Sequence, residues 1–213
     1  MLEIVKGEWS TECGRCKIEE ESGLPTRRLN EIDQWKEEFT YDDAVKATAS
    51  DGSVELKPIY FDLRFGNFCN LKCRMCGPTD SHSLYEEFMD YWKEGGFEDT
   101  HGFVRLVKNE KGRWFTNDYN WYEDDNFWNQ LEENIHNVRH VYMVGGEPLL
   151  IERHEVFLKK CIEMDCAKNI LLEYNTNLSV LPARILDMWK HFRKVRIGAS
   201  IDGMNEVLEY QRY

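Results

Sequence analysis

From residue 54 onward the sequence alternates between short β-rich runs and longer helical patterns. This alternation constrains the fold more than any other feature. VELKPIYFDLRFG (54–66), VRHVYMV (138–144), NILLEYN (169–175) and KVRIGASI (194–201) are rich in Val, Ile, Leu, Tyr and Phe and read as strands. Pro58 suits a strand start or edge. Between them lie helical patterns at 80–94, with Leu84, Phe88, Tyr91 and Trp92 on one face, and at 126–137, with Phe127, Leu131 and Ile135. Further helices are expected at 152–165 (Val156, Phe157, Cys161, Met164) and at 182–192, where Pro182 opens the helix and Ile185, Leu186, Trp189 and Phe192 turn inward. Gly95–Gly96 reads as a helix stop, and a last helical pattern runs from 204 to 213. Strand and helix in strict alternation imply a parallel sheet with right-handed crossovers, an α/β fold of about four βα units. Residues 97–125 fit the alternation poorly: FVRLV and RWFT flank KNEKG, which permits a hairpin. Trp114, Trp121, Tyr122, Phe127 and Trp128 make this insertion aromatic, with core or lid packing as the default and a substrate-facing role as the alternative.

Residues 1–53 have another texture, charged and helix-prone. Leu29, Ile32, Trp35, Lys36 and Phe39 share helical spacing over 27–39, and ASDGS (49–53) reads as a linker. Two domains are therefore expected, 1–53 and 54–213. The 27 Lys and Arg against 39 Asp and Glu, a net charge of −12, argue against broad binding to nucleic-acid phosphates. The opening residues lack the long apolar stretch of a signal peptide, and no apolar run is long enough to span a bilayer. Seven cysteines, an odd number, without export signals point to a reducing, cytoplasmic setting in which clustered thiols serve metals more often than disulfides.

The densest chemistry is FGNFCNLKCRMCGP, directly after the first strand, with Cys69, Cys73 and Cys76 spaced CxxxCxxC. Ligands in parallel α/β folds bind where strands end. Three thiolates on a short loop can hold three irons of a [4Fe–4S] cube and leave the fourth iron open. Asn67, Asn70 and Gly77 supply turn chemistry around them. A zinc knuckle completed by His82, or plain buried thiols, are the alternatives. Cys161 and Cys166, on and after a helix, read as packed core thiols.

Three further motifs follow successive strands: GGEP (145–148), YNTN (174–177) and SIDG (200–203). In this order behind CxxxCxxC, they make residues 58–213 resemble the radical S-adenosylmethionine (SAM) superfamily. The resemblance implies a partial (β/α) barrel and a [4Fe–4S] cluster on Cys69, Cys73 and Cys76. It also implies reductive cleavage of SAM to a 5′-deoxyadenosyl radical that abstracts hydrogen from a substrate. Gly145, Gly146, Glu147 and Pro148 would meet the SAM amino group. Asn177, Ser200 and Asp202 would supply polar contacts, the last two to the ribose. Met75, where the family often has an aromatic residue, would cover the adenine. The usual barrel has six strands and four are read here, so the chain is expected to be truncated within a longer barrel. Cys13 and Cys16, in WSTECGRCKIEEESG, resemble the auxiliary-cluster module of twitch-domain members and would supply two ligands of a second cluster, with a surface or redox pair as the alternative. A one-electron reductant protein would be a partner, and a peptide is the substrate class suggested by twitch-type relatives. The rival readings are a non-catalytic metal-binding or electron-transfer module, or an inactive barrel fragment.

Overall fold

Capping chemistry decides where the first helices begin. In the computed structural model, which describes residues 2–55, 57–94, 104–116 and 120–213, a first unit, Met1–Lys57, holds α1 (Leu2–Val5), α2 (Gly14–Glu21), α3 (Arg27–Trp35) and α4 (Tyr41–Ala47). The Thr26 hydroxyl accepts from Leu29 N to start α3. Thr40 and Asp43 form a reciprocal capping box at the start of α4. The helical spacing over 27–39 yields a helix only to Trp35, followed by a turn in which Phe39 N donates to Trp35 O. Val54 joins no sheet and makes only an isolated bridge to Thr48.

The second unit, Pro58–Tyr213, carries β1 (Tyr60–Leu63), α5 (Tyr85–Glu94), β2 (Val107–Lys108), β3 (Trp114–Phe115), α6 (Asp125–Asn134), β4 (His140–Met143), α7 (Glu152–Glu163), β5 (Leu171–Thr176), α8 (Ala183–Trp189), β6 (Lys194–Ala199) and α9 (Glu206–Gln211). Strand β1 starts at Tyr60 rather than 54, consistent with Pro58, which has no N–H to give a ladder. The chain is a mixed α/β protein whose main sheet is parallel throughout, in the order β1-β4-β5-β6. The hairpin allowed by the sequence exists as β2 and β3, paired antiparallel. Its turn is fixed by Asn109 Oδ1, which accepts from Lys111 N and Arg113 N, and by Gly112 at φ 73°. The glycine stop at Gly95–Gly96 and residues 97–103 of the insertion lie outside the described residues.

The two faces of the sheet differ. On one, Leu63, Val141, Met143, Leu172 and Tyr174 join Phe157, Leu158 and Ile185 of the helices in a buried core. Phe65 extends this core through Trp128, Trp121 and Tyr122, its ring centroid 6.0 Å from Trp128 and 5.6 Å from Trp121. Tyr122, Phe127 and Trp128 of the aromatic insertion pack against this core. Cys161 and Cys166 are buried in the same core, with Cys166 Sγ donating to Cys161 O at 3.3 Å. The register aligns Asp62, Tyr142, Glu173 and Arg196 in one polar row on the other face. Glu173 pairs with Arg196 at 2.9 Å, and Asn175 Nδ2 donates to Tyr142 Oη. Parallel sheets are ordinarily apolar on both faces, so this row marks a side built for polar contacts. Among the described residues no helix is long and apolar enough to cross a membrane.

Candidate functional site

The cysteine loop leaves the C-terminal end of β1 and is held from several directions. Cys69 and Cys73 are buried and Cys76 is half-buried. Cys76 N donates to Cys73 O at 3.0 Å, closing a turn that brings the last two thiols near each other. Burial pushes the Cys69 thiol up. It pushes Cys76 up to about 11, and Cys73, Asp80 and Cys69 add to the effect by their proximity. The three sulfurs therefore sense one another, and burial opposes loss of the Cys69 and Cys76 protons. Binding a metal there releases protons. Several donors also aim at the sulfurs: Leu71 N to Cys69 Sγ at 3.5 Å, Asn177 Nδ2 to Cys69 Sγ at 3.9 Å and Arg212 Nη1 to Cys73 Sγ at 3.8 Å. Such donors stabilise thiolates rather than thiols.

His82 does not complete a zinc knuckle in this arrangement. Its Nδ1 accepts from Cys69 N at 3.1 Å and its ring stacks on Phe68 at 4.5 Å. Among the described residues, no three Cys, His, Asp or Glu side chains converge as ligands of a single metal ion.

The GGEP loop, after β4, lies against the cysteine loop backbone to backbone. A Cβ on Gly146 would sit 2.2 Å from Phe68 O and 2.7 Å from Asn67 C; one on Gly145 would sit 2.9 Å from Gly66 O. Both glycines have positive φ, 85° and 54°. Only glycine satisfies both the conformation and the space. Glu147 N donates to Phe68 O at 2.8 Å, which clamps the two loops. The Glu147 side chain is buried at 1% exposure and accepts from Leu149 N, from Thr176 Oγ1 at 2.6 Å and from Asn177 N at 2.7 Å. Its carboxylate thus fastens GGEP to the end of β5, where Asn177 in turn reaches Asn70 Oδ1 at 3.1 Å. Pro148 begins a short 3-10 turn.

At the end of β6, Ser200 N donates to Thr176 O at 2.8 Å. Asp202 is ion-paired with Arg212. The 204–213 pattern is shorter as a helix than the sequence suggests. Helix α9 stops at Gln211, and residues 211–213 run beside the cysteine loop, with Arg74 N donating to Gln211 O and Lys72 N to Tyr213 O. The Arg74 guanidinium lies 3.8 Å over the Tyr210 ring. Met75 is 52% exposed.

Four residues to which the sequence assigned no role in the site stand behind it. Trp189 Nε1 donates to Tyr174 Oη at 3.0 Å, Tyr174 Oη pairs with His154 Nε2 at 2.8 Å, and the backbone of Pro148 lies near the His154 ring. This buried chain ties α8 and β5 to α7, beside the GGEP loop. Arg212 is the fourth, bridging Cys73 and Asp202. The signal for Tyr174 was available, since Tyr174 and Thr176 alternate on one face of β5; nothing local marks His154 or Arg212. A cavity of about 600 Å³ borders residues 65–68, with Tyr85, Trp114, Tyr122 and Arg153 among its walls.

In the first unit, Cys13 precedes α2 and Cys16 lies in its first turn. Arg28 is held by Glu20 at 2.9 Å and set 4.7 Å over the Trp9 ring, within electrostatic range of Cys13 and Cys16.

The three thiols are near enough to act on one another, and N–H donors reach the sulfurs of Cys69 and Cys73. The family model of the radical SAM superfamily matches residues 63–213. Nothing among the curated proteins or the solved structures matches the chain.

Proposed function

Because the chain belongs to the radical SAM superfamily, which implies SAM cleavage through an iron–sulfur cluster, we propose that Cys69, Cys73 and Cys76 hold a [4Fe–4S] cluster and that the protein generates a 5′-deoxyadenosyl radical for hydrogen abstraction. The supporting observation is the convergence of two strand-end loops and the segment after α9 on the cysteine loop: Gly146 packs on Phe68 O, Asn177 reaches Cys69, and Arg212 reaches Cys73. When bound, the cluster supplies the electron that breaks the sulfonium carbon–sulfur bond.

The chain's own residues bind and orient. Gly145 and Gly146 bring backbone against the cysteine loop and leave carbonyls free to accept from an ammonium. Glu147 acts on that contact chiefly by holding the loop in place, because three donors already occupy its carboxylate. This modifies the role expected from the sequence, where Glu147 meets the ammonium directly. Ser200 and Asp202 are proposed as ribose acceptors, with Arg212 fixing the Asp202 carboxylate. Asn177 adds a polar contact, and Met75 supplies an exposed, polarisable cover for the adenine. The polar row Asp62–Tyr142–Glu173–Arg196 is the face a partial barrel would turn toward its ligands.

The test is anaerobic reconstitution with iron and sulfide followed by assay of 5′-deoxyadenosine. Replacing any one of Cys69, Cys73 or Cys76 with Ala is expected to abolish the product. Retention of it by the triple variant, or tight zinc in place of iron, overturns the reading. A second cluster using Cys13 and Cys16 is proposed from the CGRC pair with Arg28 beside it. It predicts more than four irons per chain, falling to four on Cys13→Ala. A peptide substrate and a one-electron reductant protein complete the proposal.

A further inference from the structure

Behind the first cysteine, three consecutive residues each bond the backbone of the cysteine loop. Ser81 Oγ donates to Leu71 O at 2.7 Å, His82 Nδ1 accepts from Cys69 N at 3.1 Å, and Ser83 Oγ donates to Cys69 O at 2.8 Å. His82 N also donates to Asn67 O at 3.0 Å. Cys69 thus has both its amide and its carbonyl held by adjacent side chains of one short segment. The His82 ring is fixed in turn, stacked on Phe68 with the planes 21° apart and edge-on to Tyr85 at 6.3 Å. Its Nδ1 carries the lone pair, so the neutral ring has its proton on Nε2.

The bond has a chemical consequence. The neighbouring amide, Leu71 N, points at Cys69 Sγ. The Cys69 amide does not, because its single hydrogen is committed to His82. N–H donors aimed at cluster sulfurs favour the reduced, more negative form and raise the reduction potential. A donor diverted to an imidazole keeps the potential lower, which suits a site that must give its electron to a sulfonium.

We infer that His82 is a positioning residue that captures the Cys69 amide, fixes the first cysteine of the loop and withholds one N–H from the sulfur side of the site. The consequence for the potential rests on the cluster proposed above; the capture of the amide does not.

The two are separable by experiment. In the metal-free full chain, hydrogen exchange at the Cys69 amide is read by NMR for wild type and for His82→Phe, which keeps a stacking ring but has no acceptor. His82→Asn places an oxygen near the Nδ1 position, whereas His82→Gln places one a bond farther out. Exchange is expected to quicken about tenfold or more in H82F and H82Q and to stay near wild type in H82N, as loss of one protecting bond requires. Equal protection in wild type and H82F, or H82N exchanging as fast as H82F, overturns the inference. Should H82F fail to fold, the comparison of H82N with H82Q decides it alone. In reconstituted protein, an EPR-monitored titration is expected to give a higher midpoint potential for H82F and H82Q than for wild type and H82N. Unchanged potentials in loaded H82F and H82Q reject the electronic role. Wild-type protein that binds no iron rejects the cluster reading, with the exchange result still deciding whether His82 holds Cys69.

Discussion

Gly146→Ala tests the contact on which the site geometry depends. The added Cβ would stand 2.2 Å from Phe68 O and 2.8 Å from Phe68 C. A carbon–oxygen contact needs about 3.3 Å, so one loop must retreat by roughly 1 Å. Both clashing partners are backbone, which cannot swing aside as a side chain can. The cost has two parts. Alanine at a φ of 54° carries a left-handed penalty of about 1 kcal/mol, and forcing an extra carbon into packed backbone adds about 1–3 kcal/mol. Gly112 provides the control. Its φ is 73°, yet nothing lies within 4 Å of its Cβ position, so Gly112→Ala should incur only the first part. Urea denaturation of the metal-free chain should therefore rank wild type, G112A and G146A in falling order, with G146A below G112A by about 1–3 kcal/mol. In reconstituted protein, a shift of about 1 Å in GGEP should lower SAM cleavage on the order of 100-fold, while G112A stays near wild type. If G146A and G112A are equally stable within about 0.5 kcal/mol, the two loops do not touch as described and the reasoning fails.

Other consequences can be measured on the same unit. Glu147→Gln turns an NH₂ toward Leu149 N, Thr176 Oγ1 or Asn177 N, leaving a buried donor facing a donor, and should cost about 1–3 kcal/mol; a wild-type urea midpoint would count against the hub role. Tyr174→Phe removes the hydroxyl shared by His154 Nε2 and Trp189 Nε1, and a loss of about 2–3 kcal/mol is expected, read as a lower melting temperature. Burial lowers the His154 pKa to about 4 from an unfolded value near 6.5. Between those two values the unfolded chain binds more protons than the folded one, so stability is fully present above pH about 6.5 and falls as the pH drops toward 4. Stability measured from pH 7 to 4 should decline by about 3 kcal/mol from this group, and His154→Gln should remove that part of the slope; an unchanged slope would exclude His154 as its source.

Much of this protein was legible in its sequence because the relevant physics is local. The β-rich runs and helical periodicities gave the order of the elements. The CxxxCxxC loop and the GGEP, YNTN and SIDG motifs each stand at a strand end in the structure, and the KNEKG segment forms the turn of a hairpin. Boundaries were less visible: the strand expected from 54 begins only at Tyr60, and the pattern expected to stay helical to 213 leaves the helix at Gln211 to run beside the cysteines. The contacts that shape the site were not legible. Glu147 meets Thr176 and Asn177 across about thirty residues, and Arg212 meets Cys73 across 139. His82, which the sequence offers only in the alternative of a zinc knuckle, turns its Nδ1 to a backbone amide. Periodicity says which face of an element is apolar, but not which polar group on one loop will meet which on another. That pairing is decided only when the parallel sheet brings its strand ends together, because a buried polar atom must find a partner and the nearest one is then set by the fold.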